Sequence, residues 1–318
     1  MKLMLTQDWK DKYSRKLEEQ YPGVEIIKAL SRDKQEEVLR EAEAVLGFTG
    51  SMELDLLAAA PELNWIQALS AGVDRIITSQ YVEKLKEKDV TITNVRGLHR
   101  DIIAEHTLAL MLSFTRRLPD FYRQQQRRIW KRLPVDYLGD KKLVVLGLGA
   151  IGKEIASRAT AFNMTVAGVK RSSEEVPGVA EIYTPDQLPE AFRGADFIAT
   201  ILPLTAETRK MLGEEEFAAM PDNAVFINVG RGKVVQEEAL ISALQQGKLD
   251  GAALDVFQDE PLEATSPLYE LENVIITPHV AGSFPGYYGR AVGIVSENLK
   301  RYLNDRELIN QVDYSRGY

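Results

Sequence analysis

With 318 residues the chain is too long for one compact core, so two domains are expected. Charged residues at 27% and hydrophobic ones at 45% exclude extended disorder, and a formal charge of −8 leaves no general footprint for nucleic acid. The absence of Cys excludes disulfides, thiolate ligation and thiol catalysis, and fits a cytoplasmic protein.

No apolar run reaches the roughly 18 residues of a membrane span, and Met1 to Thr6 turns polar too soon for a secretory leader. Neither membrane association, export nor a metal site is expected.

The first ninety-odd residues alternate short apolar runs with helical patterns. LMLT at 3, VEIIK at 24, AVLGF at 44, NWIQAL at 64 and VTITN at 90 read as strands, with amphipathic segments such as 34–43 and 81–87 between them. This is the pattern of a small parallel α/β domain.

A long helical pattern follows from Leu98 to Trp130, interrupted by Pro119 and apolar on more than one face of its first half. Burial between domains or subunits and burial within one chain both suit it. Beyond it, strands are expected near 143–146, 164–169, 195–201, 224–229, 250–255 and 274–277, and helices from about Ile151 and near 185–192, 213–219 and 236–246. Such alternation predicts a doubly wound parallel sheet. A last helix starts near Tyr288.

GLGAIG at 147–152 fits G-x-G-x-x-G, directly after an apolar strand and before a helix. Gly147 would make the tight turn, Gly149 would let backbone approach a pyrophosphate, and Gly152 would permit close helix packing. The N–H groups of the first helical turn, Ala150 and Ile151 included, would face the anion. About twenty residues on, where an acidic residue would hold the ribose 2′-hydroxyl, the chain has Lys170, Arg171 and Ser172. Arg171 is a planar fork suited to phosphate, with Lys170 and the hydroxyls beside it, so NADP is expected in preference to NAD, with NAD still possible. A solvated loop after a strand is the plainer account of Lys170 to Ser173.

INVGRGKVV at 227–235, DVFQDEPL at 255–262 and TPHVAG at 277–282 each follow an expected strand and so reach the ligand crevice of an open α/β sheet. Together they supply Arg231, Glu260 and His279.

With SAGVD at 70–74, AEH at 104–106 and LPLTAET at 202–208, these motifs run in order over nearly the whole chain. The sequence resembles the D-isomer-specific 2-hydroxyacid dehydrogenase family, in particular its glyoxylate/hydroxypyruvate reductases. The resemblance implies a Rossmann-type doubly wound cofactor domain inserted into a smaller flavodoxin-like α/β substrate domain. Residues 1–98 plus 284–318 would form the substrate domain, and 99–283 the NAD(P)-binding domain with its interdomain helix. It further implies reduction of a small 2-keto acid to the D-2-hydroxy acid in a cleft between the domains, and a homodimer formed through the helix near 100–130.

The resemblance implies Arg231, Glu260 and His279 as the catalytic residues, and the chemistry suits each type. Hydride arrives at the carbonyl carbon and a proton at its oxygen, so a protonated imidazole at His279 is the natural acid. Glu260 would orient that imidazole and favour its charged form. Arg231 would take the substrate carboxylate in a fork and polarise the carbonyl. Clamping of cofactor phosphates is the alternative for Arg231, and a turn acid that for Glu260.

By the same resemblance, the N–H groups of Ala71, Gly72 and Val73 would meet the substrate carboxylate, and Asp255 would hold the nicotinamide amide. Pro203, Thr208, Val229 and Gly230 would line the cofactor path. Phe48, Leu98, His99, Trp130, Tyr287 and Tyr288 are candidates for shaping the substrate pocket. His106 and His99 are assigned no chemistry. The alternative function is a cofactor-sensing regulator or corepressor on the same fold, or an NAD-dependent dehydrogenase of another 2-hydroxy acid.

Overall fold

The computed structural model describes residues 1–6, 11–48 and 54–317, and the chain divides into two compact units, 1–98 with 284–318 and 99–283.

The first unit is built on β1 (Lys2–Leu5), α1 (Asp11–Gln20), β2 (Glu25–Lys28), α2 (Arg32–Leu39) and β3 (Ala44–Phe48). It continues through α3 (Leu54–Ala59), β4 (Trp65–Ala68), α4 (Asp74–Ile77), α5 (Val82–Glu87) and β5 (Thr91–Thr93). The sheet order is β2-β1-β3-β4-β5, all parallel. Chain direction across the sheet therefore reverses beside β1, the flavodoxin arrangement. β3 and β4 are buried at every position, because helices cover both faces of a parallel sheet.

The second unit opens with α6 (Arg100–Thr115) and α7 (Leu118–Gln126). The expected long helical pattern is two helices, broken just ahead of Pro119. Arg117 takes a left-handed backbone (φ 52°) at the break, and Pro119 lies in the first turn of α7, where its missing N–H costs nothing. Pro119 therefore begins a helix rather than interrupting one.

Next come β6 (Lys142–Leu146), α8 (Ala150–Ala161), β7 (Thr165–Val169), β8 (Glu181–Tyr183), α9 (Leu188–Phe192) and β9 (Phe197–Thr200). The unit ends with α10 (Glu214–Ala219), β10 (Val225–Asn228), α11 (Glu237–Gln245), β11 (Gly251–Leu254) and β12 (Val274–Ile276).

Its seven parallel strands run β12-β11-β10-β9-β6-β7-β8, a Rossmann-type α/β sheet. The order reverses between β6 and β9, so the loops after Leu146 and Thr200 border the crevice where such sheets bind ligands. α6 packs on α8 through Ala104, Leu108 and Met111 against Ile155, Ala156 and Ala159. That interface explains the apolar first half of α6 within a single chain. Small residues on β11 let α6 close in, since a Cβ on Gly251 would lie 2.5 Å from the Phe114 ring.

The chain returns to the first unit with α12 (Tyr287–Tyr302), whose Ala291, Val292, Val295 and Leu299 join Leu3, Leu5 and Trp65 in the core. A buried polar chain fixes it there. Asn298 Nδ2 donates to Gln67 Oε1 (2.9 Å), which also accepts from Thr93 Oγ1 (2.9 Å), and Trp65 Nε1 donates to that hydroxyl (2.8 Å). Beyond the helix, Val312 N–H donates to the Ile92 carbonyl and Gln311 bridges Thr93, closing the β5 edge.

Candidate active site

The glycine turn meets three separate requirements. Gly147 has φ +102°, a left-handed conformation that glycine adopts without strain, and a Cβ on it would crowd the Ile201 carbonyl at 3.2 Å. A Cβ on Gly152 would lie 2.0 Å from the Gly147 carbonyl oxygen, so α8 can seat against the turn only with glycine there. Gly149 has open space where a side chain would be. It caps α8 without a side-chain hydrogen bond, so the N–H groups of Ala150 and Ile151 are presented beside that space. This cradle fits a dinucleotide pyrophosphate.

Lys170 follows β7 directly and is anchored by its N–H to the Tyr183 carbonyl (3.0 Å). Its Nζ lies 3.3 Å from Glu174 Oε2, and Ser172 Oγ lies 3.4 Å from the same oxygen. Arg171 is exposed. The loop thus carries its own carboxylate among the groups expected to meet a 2′-phosphate.

In the 202–208 turn, Thr208 Oγ1 donates to the Pro203 carbonyl (2.6 Å) and accepts from Thr205 N–H (2.8 Å). Thr208 therefore fastens its own turn. Val229 N–H donates to Thr200 O, and a Cβ on Gly230 would meet the Leu202 carbonyl at 3.0 Å, so this corner is tight against the β9 turn.

Arg231 opens a short turn over Gly232–Val234, and its Nη1 donates to the Gly230 carbonyl (2.9 Å). Gly232 is obligatory there, because a Cβ would fall 1.8 Å from Phe257 O. Glu260 Oε1 accepts from Phe257 N–H (3.0 Å), and its Oε2 lies 2.6 Å from His279 Nδ1. A carboxylate can only accept, so Nδ1 carries a proton and Nε2 is the nitrogen left to face a reacting group. The His279 side chain is 53% exposed, which keeps that nitrogen accessible.

Asp255, expected to hold the nicotinamide amide, is 1% exposed and accepts three bonds from its own unit. Its Oδ1 accepts from Val280 N–H (2.9 Å) and Thr277 Oγ1 (2.6 Å), and Oδ2 from Ala281 N–H (2.9 Å). His279 itself has φ 52°, and its N–H donates to the Asp255 carbonyl (2.8 Å). Asp255 thus clamps the strap that carries the imidazole. His106 joins the clamp through Nε2 and Thr277 Oγ1 (3.2 Å), a role that its isolated place in the sequence did not reveal.

His99 also lies beside the strap, since a Cβ on Gly282 would stand 3.0 Å from its Cδ2. Burial, and then the nearby Arg231 charge, hold its imidazole below the ordinary histidine range. The signal available in sequence was scarcity, as the chain has only three His.

In the first unit, Ser70 Oγ donates to the Gly72 carbonyl (2.6 Å) and Asn94 Nδ2 to the Ala71 carbonyl (2.9 Å). Both bonds shape the 70–74 turn, while the N–H groups of Ala71, Gly72 and Val73 find no acceptor among the described residues. Of the side chains expected to shape a pocket, Phe48 and Leu98 are instead buried in the core of this unit, because each is an apolar group on a covered face. The Tyr287 hydroxyl donates to the Leu69 carbonyl, and burial pushes its pKa up to about 12. Tyr288 packs edge-on against Tyr287. Trp130 is fully exposed.

Among the described residues, no helix is long and apolar enough to cross a membrane, and no group of His, Asp and Glu could hold a metal ion.

Residues 108–281 match the family described as D-isomer specific 2-hydroxyacid dehydrogenase, NAD binding domain. The D-3-phosphoglycerate dehydrogenase of Methanocaldococcus jannaschii is 34% identical over 305 residues, covering 94% of this chain and 57% of that one. The chain thus spans little more than half the length of that relative. Glyoxylate/hydroxypyruvate reductase B of Yersinia pestis is 34% identical over 273 residues, 83% of this chain and 82% of the other. Among solved structures, a D-isomer specific 2-hydroxyacid dehydrogenase family protein from Aeromonas salmonicida has a TM-score of 0.88 at 34% identity, covering 98% of this chain and 99% of that one. A D-isomer specific 2-hydroxyacid dehydrogenase from Xanthobacter autotrophicus, in complex with NADPH and MES, has a TM-score of 0.87 at 30% identity, covering 99% of each chain.

Proposed function

The chain belongs to the D-isomer-specific 2-hydroxyacid dehydrogenase family, and from that premise we propose that it reduces a small 2-keto acid, glyoxylate or hydroxypyruvate or a close analogue, to the D-2-hydroxy acid with NADPH in preference to NADH. The observation that carries this reading is the 2.6 Å contact between Glu260 Oε2 and His279 Nδ1 on a strap that leaves Nε2 accessible. The reductase named for a relative and the NADPH bound to a similar structure support substrate class and cofactor.

The cofactor supplies a hydride when bound. Everything else falls to the chain. His279 donates the proton from Nε2 to the carbonyl oxygen, and Glu260 holds the ring in the required tautomer and offsets the imidazolium charge. Arg231 forks onto the carboxylate of the 2-keto acid. We assign the N–H groups of Ala71, Gly72 and Val73 to a substrate carboxylate, since they find no acceptor among the described residues. We assign 99–283 to the cofactor, through Gly147, Gly149, Gly152, Lys170, Arg171 and Ser172, and 1–98 with 284–318 to the substrate.

A homodimer in the cytoplasm completes the reading. Leu118, Tyr122, Ile129, Trp130 and Tyr137 are all exposed along α7 and the segment after it, an apolar surface that a second copy would cover.

The test is a panel of initial rates with glyoxylate, hydroxypyruvate, pyruvate and phenylpyruvate, each with NADPH and NADH. Turnover of glyoxylate and hydroxypyruvate, faster with NADPH, is expected. No turnover of any of the four overturns this substrate assignment and favours the cofactor-sensing regulator or a dehydrogenase of another 2-hydroxy acid.

A further inference from the structure

Resting on the NADPH reading above, we propose that Glu174 competes with the cofactor 2′-phosphate for Lys170 and Ser172, and so sets how strongly the protein prefers NADPH. Two donors expected to serve the phosphate already converge on one carboxylate oxygen. Lys170 Nζ is 3.3 Å from Glu174 Oε2 and also 3.3 Å from the Glu174 carbonyl, and Ser172 Oγ is 3.4 Å from Oε2.

The two partners differ in freedom. The Lys170 side chain is 16% exposed, and its backbone is tied to Tyr183, so its amine has a restricted reach. Glu174 is 82% exposed and can swing into solvent. A 2′-phosphate carries close to two negative charges and three strong acceptors, against the single charge of a carboxylate, so it can displace Glu174 from both donors.

The charge of Arg171 also reaches a second carboxylate. The Glu207 carboxyl is held below its usual range by the Thr205 hydroxyl first, by its own backbone next, and more weakly by the charge of Arg171. Positive and negative groups are therefore interleaved around the loop. NADPH must break the Glu174 contacts and accept a carboxylate nearby, whereas NADH leaves them in place. Glu174 should thus weaken NADPH selectively.

The experiment is titration calorimetry with 2′,5′-ADP and with ADP, whose affinity ratio isolates the 2′-phosphate, on wild type, Arg171→Ala, Glu174→Gln and Glu175→Gln. A wild-type ratio above one that falls in Arg171→Ala upholds the NADPH reading; a wild-type ratio of one overturns that reading and this inference with it. Given the first result, Glu174→Gln should raise the ratio roughly three- to tenfold through a tighter 2′,5′-ADP, with ADP unchanged, the scale of one exposed ion pair plus relieved repulsion. An unchanged or lower ratio overturns the competition. So does an equal rise in Glu175→Gln, which removes the same charge without these contacts and would reduce the effect to general electrostatics.

Discussion

Asp255 and His279 are joined main chain to main chain, the His279 N–H donating to the Asp255 carbonyl at 2.8 Å, while the Asp255 carboxylate takes the next two N–H groups of the strap. The left-handed backbone of His279 is thereby held by three hydrogen bonds to one residue, and the direction of its ring depends on the Asp255 side chain. Asp255→Asn replaces one acceptor with a donor facing a donor. An unsatisfied buried group costs about 1–3 kcal/mol, so the urea midpoint should fall, and kcat should fall by more than the KM for keto acid rises. A kcat equal to wild type would show that the strap keeps its shape without the clamp.

Removal of the proton donor tests the chemistry directly. His279→Gln should lose roughly 10²- to 10⁴-fold in kcat, the usual contribution of a positioned acid. Glu260→Gln keeps the shape but removes a charge-assisted bond of about 1.5–3 kcal/mol, which corresponds to about a ten- to hundredfold loss. Stopped-flow rates under single-turnover conditions, with NADPH affinity measured separately by fluorescence, distinguish this from a binding defect. Equal activity in wild type and Glu260→Gln would remove Glu260 from the machinery.

His99 makes stability depend on pH. Its imidazole is held below the ordinary value of 6.5 in the folded protein, so the unfolded chain binds a proton first as pH falls. The unfolded state then carries more protons, and stability declines from about pH 6.5 downward while being unaffected well above it. His99→Gln lacks this liability. The difference in urea midpoint between variant and wild type should therefore move in favour of the variant between about pH 8 and about pH 5.5. A constant difference would show that the imidazole protonates equally in both states.

Asn298 is the one polar residue of α12 that is fully buried, and it answers three groups at once: Gln67 Oε1, the Ile309 carbonyl and the Ile309 N–H. Asn298→Ala strands at least one of them away from water, at about 1–3 kcal/mol each. Because Gln67 sits in β4, the loss should appear as faster hydrogen exchange across β4 and β5, with β6 to β12 unchanged. Uniform destabilisation of both sheets would contradict this local role.

Residue type and spacing revealed the parts of the molecule whose partners are near in sequence. Gly147, Gly149 and Gly152 act within six residues, and their turn, space and packing roles were readable from the sequence. Strands such as β3 and β6 announced themselves as continuous apolar runs. Elements whose support is remote stayed hidden. α1 is mostly charged, and its buried Leu17 and half-buried Tyr13 make sense only against α12, some 270 residues on. β8 has three residues on an edge, too short and too exposed for a period. The clamp at Asp255 stayed hidden too, because nothing in its type discloses that it accepts from N–H groups 25 and 26 residues later. Lys170 looked uncommitted for a similar reason, as a lysine gives no sign of which carboxylate it meets.

The first unit is assembled from both ends of the chain, with 99–283 placed between them. On a ribosome adding about 5–20 residues per second, Gln67, Thr93 and the apolar face that awaits α12 would be made roughly 10–40 s before the last residue of their partner emerges. The second unit is complete first and can fold while its host is still waiting. The leading ninety-eight residues are therefore the stretch most in need of a holding chaperone during synthesis, and ribosome stalling inside 284–318 would leave a finished dinucleotide-type sheet attached to an unfinished one.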